Sequence, residues 1–314
     1  MAGERLPGYV EVRGLGAGST GFVVLATSEA TGEPVAVKYL SEWLVADYRF
    51  SVRFPAEARL LTELSNPNAC RLLQYVAEAN AVVTEYVPGG SLRTLLRRSR
   101  GGLGIEAALT VFQASLYGLA AAHAVGVIHR AYKASNVLVD LSGEIRLVDF
   151  GITPPRGGRL DSADAGYIAP ELHAGAPPTA ASDVYAATAG FVEAVTGRPL
   201  HVAGGVIAPQ PRHDGRPGPF DGVPASLHGL LLDGLAGDHE RRPADARLMA
   251  ARLDLVAAAS CGARWEVRGR AELARAASLA ASESAGLPTR LGRLRLNRRS
   301  GGRQRHPVRR GRVA

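Results

Sequence analysis

The sequence predicts an α+β protein with two lobes, a small antiparallel sheet carrying one helix and a larger, mainly helical lobe, followed by a basic tail. Apolar and polar residues alternate through most of the first 40 positions, which is typical of half-buried strands. From residue 105 onwards, apolar residues recur at helical spacing, which predicts a first long helix at 105–125. We place the first lobe at residues 8–86, the second at 87–258, and a helical extension with the tail at 259–314.

The composition is that of a globular protein in a reducing compartment. With 314 residues, 46% of them hydrophobic, the chain can bury a sizeable core. Cys70 and Cys261 lie far apart and match no metal or redox spacing. Neither a signal-peptide pattern nor an apolar run approaching the roughly 20 residues of a membrane span is evident. We therefore expect a cytoplasmic protein without a transmembrane segment.

The positive charge belongs to the tail. Residues 290–314 contain ten arginines and no acidic residue, so removing ten from the net charge of +8 leaves −2 for the rest. Few apolar residues interrupt this segment, and we expect it to be disordered. It is either a solvated tail or a contact for anionic lipid, nucleic acid or an acidic protein surface. Because no aromatic residue interleaves the arginines, any nucleic-acid contact would be to phosphates.

Three strands are predicted in the first lobe, at residues 9–15, 22–27 and 35–40. A glycine-rich loop at 16–21 joins the first two strands, and a turn at 31–34 joins the second pair. The lobe's one helix is expected around residues 53–64.

The glycine-rich loop follows the pattern G-x-G-x-x-G-x-V through Gly16, Gly18, Gly21 and Val23. Missing side chains let backbone N–H groups approach phosphate oxygens, although a tight hairpin without a ligand fits equally well. A dinucleotide-binding turn would lead directly into a helix, whereas residues 22–25 continue as strand.

Lysine occurs only at positions 38 and 133, so 35 of the 37 basic residues are arginine. A lysine offers a compact ammonium on a flexible stem, which suits contact with a phosphate. Lys38 ends the motif Val35-Ala36-Val37-Lys38 within the strand predicted at 35–40. Lys133 lies in the segment His129-Arg130-Ala131-Tyr132-Lys133-Ala134-Ser135-Asn136. Asp149-Phe150-Gly151 follows after one short predicted strand.

In this order and spacing, the motifs resemble a Hanks-type bacterial serine/threonine protein kinase domain over roughly residues 8–258. The resemblance implies that the protein binds ATP and Mg²⁺. It places the nucleotide at Gly16, Gly18, Gly21, Val23, Ala36, Lys38, Glu57, Glu85, Val87 and Leu138. It also implies that Asn136 and Asp149 hold Mg²⁺, although either could be a turn residue.

Glu57 is the glutamate that the resemblance pairs with Lys38, and a solvent-facing carboxylate is its alternative role. Pro55 lies close by, and proline is tolerated only in the first turn of a helix. We therefore expect the helix to begin late or to kink, which weakens the prediction of a Lys38–Glu57 ion pair.

The catalytic loop lacks its aspartate. In the family, the residue two positions before Lys133 accepts the proton of the attacking hydroxyl, and here Ala131 occupies that position. General-base catalysis is worth about 10² to 10⁴ in rate. Robust phosphoryl transfer is therefore not expected.

Asp164 is a second departure from the family. Counting back from Ala169-Pro170-Glu171, it replaces the threonine that bridges the catalytic aspartate and lysine in active members. Either its carboxylate partly restores the lost base, or it forms a salt bridge with Lys133 and holds an inactive segment in place.

Later residues resemble architectural positions of the family. Glu171 is expected to pair with Arg242, and Asp183 to anchor the catalytic-loop backbone. Helices are predicted at 247–259 and 265–285, after a surface loop at 204–224.

Three functions remain open. The first is a pseudokinase that binds ATP and Mg²⁺ and acts as a scaffold or allosteric regulator of a protein partner or client kinase. The second is a weak or unconventional serine/threonine kinase that relies on Asp164. The third is an interaction module that uses the arginine tail and needs no nucleotide.

Overall fold

The structure is a computed structural model that describes residues 6–99, 101–153, 162–200, 218 and 220–285. The predictions for the basic tail at 290–314, and for most of the loop at 204–224, lie outside the described residues.

The first lobe is built on a five-stranded antiparallel sheet with strand order β1-β2-β3-β5-β4. Its strands are β1 (Tyr9–Gly18), β2 (Gly21–Ser28), β3 (Pro34–Leu40), β4 (Leu72–Val76) and β5 (Ala81–Glu85). The three predicted strands are therefore present. The expected glycine loop is shorter than predicted, because Gly16 pairs with Val23 and Gly18 pairs with Gly21. Only residues 19 and 20 form the turn.

The period-two alternation gives this sheet two different faces. One face places Val24, Val37 and Val83 in a small core of its own. The opposite face carries Val23, Lys38 and Val82 in one cross-strand row and Leu25, Ala36 and Thr84 in the next. This second face looks towards the other lobe and becomes a wall of the candidate site.

Two helices follow β3, α1 (Glu42–Val45) and α2 (Tyr48–Glu63). The Asp47 side chain caps α2 by accepting a hydrogen bond from the Phe50 N–H at 2.9 Å. The prediction of a late start at Pro55 is wrong, because the helix begins earlier and includes this proline. Packing of Phe50 and Phe54 in the core holds α2 together despite the hydrogen bond that Pro55 cannot donate.

The second lobe contains a three-stranded sheet and helices around it. Its elements in chain order are β6 (Gly89–Ser91), α3 (Leu92–Arg98), α4 (Ile105–Ala124), β7 (Val137–Asp140), β8 (Ile145–Leu147), α5 (Pro170–His173), α6 (Ala180–Thr196), α7 (Ala225–Gly234), α8 (Ala246–Cys261) and α9 (Trp265–Ala285). The predicted helices at 105–125, 247–259 and 265–285 are thus present.

Helix α4 is the centre of this lobe and packs against α6, α8 and α9. By length and composition alone, α4 is long and apolar enough to cross a membrane. No membrane span was predicted from the sequence in any segment. However, 72% of its most apolar 18-residue window is buried inside the protein. The apolar residues of α4 are accounted for by the core.

Two buried polar contacts position the loops near the cleft. The Asp183 carboxylate on α6 accepts hydrogen bonds from the backbone N–H groups of His129 (2.8 Å) and Arg130 (2.9 Å). The Arg242 guanidinium donates to both carboxylate oxygens of Glu171 at 2.7 Å. Both contacts match the architectural roles expected from the sequence.

Candidate functional site

A cleft of about 440 Å³ lies between the sheet and the second lobe. Eight of the predicted site residues line it: Gly16, Val23, Ala36, Lys38, Glu85, Val87, Leu138 and Asp149. Apolar side chains such as Val82 line it together with polar and charged groups such as Ser135, a mixture that suits a polar small molecule. Thr84 lines the cleft with a small side chain. Cys70 and Leu72 also line it, because Thr84 does not cover them.

The glycines of the β1–β2 hairpin have different reasons to be glycine. A Cβ at Gly21 would lie 1.9 Å from the Tyr39 carbonyl oxygen, and its φ of +140° disfavours any side chain. A Cβ at Gly16 or Gly18 would meet no described atom within 4 Å. Packing therefore requires glycine at Gly21 alone, and the space beside Gly16 and Gly18 is available to a ligand's phosphates.

The segment after β5 presents backbone groups to the cleft. The Glu85 N–H donates to the Arg71 carbonyl at 3.0 Å, which fixes the strand edge. Val87 is buried and lines the cleft, yet no described residue accepts a hydrogen bond from its N–H. A backbone donor beside the cleft with no partner among the described residues suits an acceptor on a ligand, such as a nitrogen of a purine base.

Lys38 and Asp149 form an ion pair across the cleft, with 2.6 Å between Nζ and Oδ2. The backbone of Asp149 is left-handed, with φ of 65°, a strain that is typical of functional positions. Phe150, the next residue, is buried against the His129 ring with centroids 4.5 Å apart. Because Phe150 is anchored in the core, the Asp149 carboxylate is directed to the cleft.

The prediction that Glu57 pairs with Lys38 is wrong. The Glu57 carboxylate lies 2.8 Å from the Arg130 guanidinium and 3.2 Å from that of Arg53. The described residues contain no Lys38–Glu57 ion pair, and Glu57 is absent from the residues that line the cleft. Asp149 offers Lys38 a nearer carboxylate, while two arginines compete for Glu57.

The two arginines around Glu57 also reach the segment after the cleft. Arg53 donates to the Gly151 carbonyl at 2.9 Å, in addition to its contact with Glu57. Burial, and then repulsion from Arg130, lowers the pKa of Arg53 below its ordinary value. Glu57 thus serves as the shared counter-charge of two crowded guanidinium groups.

The catalytic loop is held in its shape without a carboxylate at its centre. Arg130 has a left-handed backbone, with φ of 65°, that the Asp183 hydrogen bonds support. Ala131 follows, and its carbonyl accepts a hydrogen bond from Asn136 Nδ2 at 2.9 Å. Burial lowers the pKa of His129, so this ring is neutral in the folded protein. The loop keeps its scaffold and presents a methyl group at position 131.

Lys133 pairs with Asp164, with 2.6 Å between Nζ and Oδ2. This is the salt bridge that the sequence offered as one of the two roles of Asp164. Arg93 on α3 lies 3.3 Å from the other Asp164 oxygen and 3.3 Å from a Glu193 oxygen. The Arg93 guanidinium also lies 6.0 Å from the centroid of the Tyr167 ring. Asp164 is therefore held by two cations from two different elements.

The residues present fit Mg²⁺ bound together with a nucleotide. Mg²⁺ prefers oxygen ligands and is usually held by one or two protein groups plus phosphates and water. Asp149 supplies a carboxylate, and Asn136 supplies an amide oxygen once its Nδ2 is engaged with the Ala131 carbonyl. The described residues contain no cluster of three histidine, cysteine, aspartate or glutamate side chains that could hold a metal alone. The site suits a metal that arrives with its phosphates.

Sequence reasoning missed Arg93, Arg53 and the contacts of Arg130. Arg93 carries no sequence signal, since it is one of 35 arginines and lies just after the start of a helix. Ala280 on α9 was also missed, although it lines the cleft. All four depend on elements that are distant in sequence and meet only in the folded chain.

Comparisons with known proteins agree with this geometry. A family model described as a protein kinase domain matches residues 9–207. The serine/threonine-protein kinase PkaB of Streptomyces coelicolor is 37% identical over 239 residues, which cover 71% of this chain and 57% of the relative. PknA of Mycobacterium tuberculosis is 32% identical over 215 residues, which cover 64% of this chain and 50% of the relative. The chain thus spans about half the length of these relatives.

Solved structures give the same result. A crystal structure of the Mycobacterium tuberculosis PknI kinase domain matches with a TM-score of 0.66 and 26% identity, covering 82% of this chain and 98% of that chain. Another crystal structure of the same domain matches with a TM-score of 0.67 and 27% identity, with the same coverage. The antiparallel sheet, the helical second lobe and the order of the motifs all agree with these likenesses, and the chain belongs to the protein kinase family.

Proposed function

We propose that this protein binds ATP with Mg²⁺ in the cleft and acts as a pseudokinase, a scaffold or allosteric regulator in phosphorylation signalling. The observation that carries the proposal is the pairing of an intact phosphate clamp with Ala131. Lys38, Lys133, Asn136 and Asp149 are all retained around a position that cannot accept a proton. Membership of the protein kinase family supports nucleotide binding in general.

The protein's own ion pairs define what ATP binding would require. Lys38 would exchange the Asp149 carboxylate for the α- and β-phosphates, and Asp149 would then be free to ligate the metal. Asp149 and Asn136 would hold Mg²⁺, which would supply positive charge to offset that of the phosphates. Lys38 keeps an anionic partner in both states, so the exchange leaves no buried charge unpaired.

Phosphoryl transfer is disfavoured at two points. A methyl group at Ala131 neither orients the acceptor hydroxyl nor accepts its proton, which costs about 10² to 10⁴ in rate. Asp164 is engaged by Lys133 and Arg93, so it is not free to act as a base. Asp164 therefore acts here as a lock on the segment.

A weakly active serine/threonine kinase is the second candidate. Asp164 Oδ2 lies 2.6 Å from Lys133 Nζ, so a carboxylate adjoins the loop from which one has been lost. The relatives PkaB and PknA are named serine/threonine-protein kinases, which supports transfer to protein hydroxyls as the ancestral activity. In this candidate Asp164 would leave its cations and orient the acceptor.

Nucleotide binding is tested by thermal unfolding with ATP, with and without Mg²⁺. A ligand at 100 times its Kd stabilises the folded protein by about 2.7 kcal/mol. The chain's two lysines allow a second readout, in which ATP protects Lys38 from an amine-reactive reagent detected by mass spectrometry. Lys38→Met should lose the ATP shift. Absence of any shift with millimolar ATP would leave only the nucleotide-independent interaction module.

Phosphoryl transfer is tested with labelled ATP and three proteins, the natural chain, Asp164→Ala and Ala131→Asp. If the protein is a pseudokinase, the first two stay at background and Ala131→Asp gains on the order of 100-fold or more. If measurable transfer by the natural chain disappears in Asp164→Ala, the weak kinase is the better description. A generic basic protein serves as the substrate, and its serine and threonine hydroxyls accept the phosphoryl group.

We further infer a cytoplasmic location and a protein partner or client kinase. The partner of the arginine tail is an anionic lipid surface, a nucleic acid or an acidic protein, in keeping with its ten arginines. The residues of this tail lie outside the described part of the chain.

A further inference from the structure

The last helix, α9, ends beside the nucleotide cleft. Its buried residues recur at intervals of three and four along one face: Trp265, Gly269, Leu273, Ala277 and Ala280. Ala280, near the end of this face, is 2% exposed and lines the cleft. The family model matches residues 9–207 and so does not include this helix. One wall of the cleft therefore lies outside the residues that the family model matches.

Charged contacts along α4 fix the position of α9. Arg268 Nε lies 2.7 Å and 3.0 Å from the two carboxylate oxygens of Glu106. The Glu272 carboxylate accepts a hydrogen bond from the Gly104 N–H at 2.8 Å, which satisfies a free donor at the start of α4. Bidentate and capping contacts of this kind specify register as well as docking.

The backbone of α9 lies so close to its neighbours that few other positions of the helix are possible. A Cβ at Gly269 would lie 2.2 Å from Thr110 Oγ1 and 2.3 Å from the Glu106 carbonyl oxygen. A Cβ at Gly143, in the β7–β8 turn, would lie 2.2 Å from the Arg270 carbonyl oxygen. Since both glycines let α9 sit directly on its neighbours, α9 has little room to slide. The second half of α9 is held as well, because Arg98 donates to the Leu279 carbonyl at 3.1 Å.

Ala280 lies beside Gly90, a few residues after Glu85 and Val87, which are the residues predicted to contact the nucleotide base. A Cβ at Gly90 would lie 3.8 Å from Ala280 Cβ, which is ordinary contact. Ser91 and Thr94 line the same end of the cleft, with their hydroxyl oxygens 3.0 Å apart. Adjacent hydroxyl groups suit the hydroxyls of a sugar. The wall formed by Ala280 thus adjoins the place that a ribose would occupy.

We propose that α9 is part of the nucleotide site and that Ala280 limits the bulk allowed on the sugar side of a bound nucleotide. The inference rests on the proposed function, because it takes the cleft to bind ATP. Nucleotides with free ribose hydroxyls are admitted, and those with a bulky group on the 2′ or 3′ oxygen are rejected. Nucleotide affinity and α9 docking are also linked, so a partner that displaces α9 changes the affinity for ATP.

The test compares two nucleotides, ATP and ATP carrying an N-methylanthraniloyl ester on its ribose, each with Mg²⁺. Ala280→Leu should weaken ATP binding about tenfold, since added carbon atoms overfill a packed wall. Ser278→Leu, which introduces the same side chain at an exposed position of α9, should change the ATP affinity less than about twofold. Kd values are measured by calorimetry on the full chain.

Ala280→Gly tests the same wall in the opposite direction. It should improve binding of the esterified nucleotide relative to ATP by about threefold or more, since removing the methyl group relieves the overpacking. Ala281→Gly carries the same helix cost without touching the cleft, and its ratio should match that of the natural chain. Because both variants weaken the helix equally, a difference between their ratios reports the loss of the Ala280 methyl group itself.

An unchanged ratio in Ala280→Gly overturns the inference, as does an ATP affinity for Ala280→Leu equal to that of Ser278→Leu. In both cases the natural chain still binds ATP, so the proposed function stands. Failure of every protein, including the natural chain, to bind ATP overturns both. If Ala280→Leu does not fold, the glycine pair decides the question alone.

Discussion

At the scale of single residues, the arrangement of the site depends on which carboxylate forms an ion pair with each lysine or arginine side chain. Lys38 meets Asp149, Lys133 meets Asp164, and Glu57 is taken by two arginines. Each of these pairs is largely buried, so each partner would be costly to leave alone. The charged groups around the cleft are therefore satisfied by partners within the protein.

Glu57→Gln separates the contacts seen here from the pairing that the family motif implies. Because Glu57 neutralises Arg53 and Arg130, its loss should reduce the free energy of unfolding by about 2 kcal/mol, measured by urea denaturation. ATP affinity should change little, since Lys38 does not depend on Glu57. Glu63→Gln, an exposed position of the same helix, should stay within about 0.5 kcal/mol. A large loss of ATP affinity with unchanged stability would contradict this assignment.

Glu171 should contribute to acid sensitivity. Burial raises the pKa of Glu171, but hydrogen bonds from Arg242 and the backbone, together with the charges of Arg242 and His239, outweigh this and hold its pKa below the usual range. A carboxylate with a depressed folded-state pKa contributes stability above its unfolded pKa of about 4.3 and loses it as the pH falls through the folded value. Unfolding free energies measured between pH 6 and pH 3 should therefore fall less steeply in Glu171→Gln. An identical slope in both proteins would argue against the Arg242 pair as its cause.

At the scale of helices and strands, α9 covers one side of the second lobe and packs against it. It contacts α4 along most of its length and reaches α3, β6 and β7 at its end. Glycine at two crossing points permits this approach, since a side chain at either would meet backbone atoms. The helix is thus integral to the lobe although the family model does not cover it.

Two glycine substitutions test this packing. Gly269→Ala should lower the free energy of unfolding by about 1 to 2 kcal/mol, because its methyl group would collide with α4. Gly229→Ala, in α7, meets no described atom within 4 Å and should raise it by about 0.5 to 1 kcal/mol through better helix propensity. Urea denaturation of both variants measures the difference. Equal effects would show that α9 is not packed as closely as described.

Over the complete chain, charge is divided unevenly between the kinase domain and the tail. The ten arginines of residues 290–314 exceed the net charge of +8, so the rest of the chain is slightly acidic. The arginines of the tail favour contact with anionic surfaces, whereas the chain's two lysines lie within the lobes. Binding of an anionic surface and binding of ATP should therefore be separable.

Truncation after residue 285 tests this separation while keeping α9. The shortened chain should lose most of its affinity for heparin and for anionic vesicles, measured by co-sedimentation at low and moderate salt. ATP affinity should remain within about twofold, because the cleft residues are all retained. Anionic binding that survives truncation would place the contact on the domain instead.

Patterns within the chain were enough to predict the strands of the first lobe, the helices at 105–125 and 265–285, the kinase motifs and the loss represented by Ala131. These depend on local periodicity and on fixed spacings, which the sequence displays directly. The folded protein was needed to learn that Lys38 meets Asp149, that Glu57 meets Arg130, and that α9 ends at the nucleotide cleft. These contacts join residues far apart in sequence, and which partner wins depends on distance and on competition among charges in three dimensions.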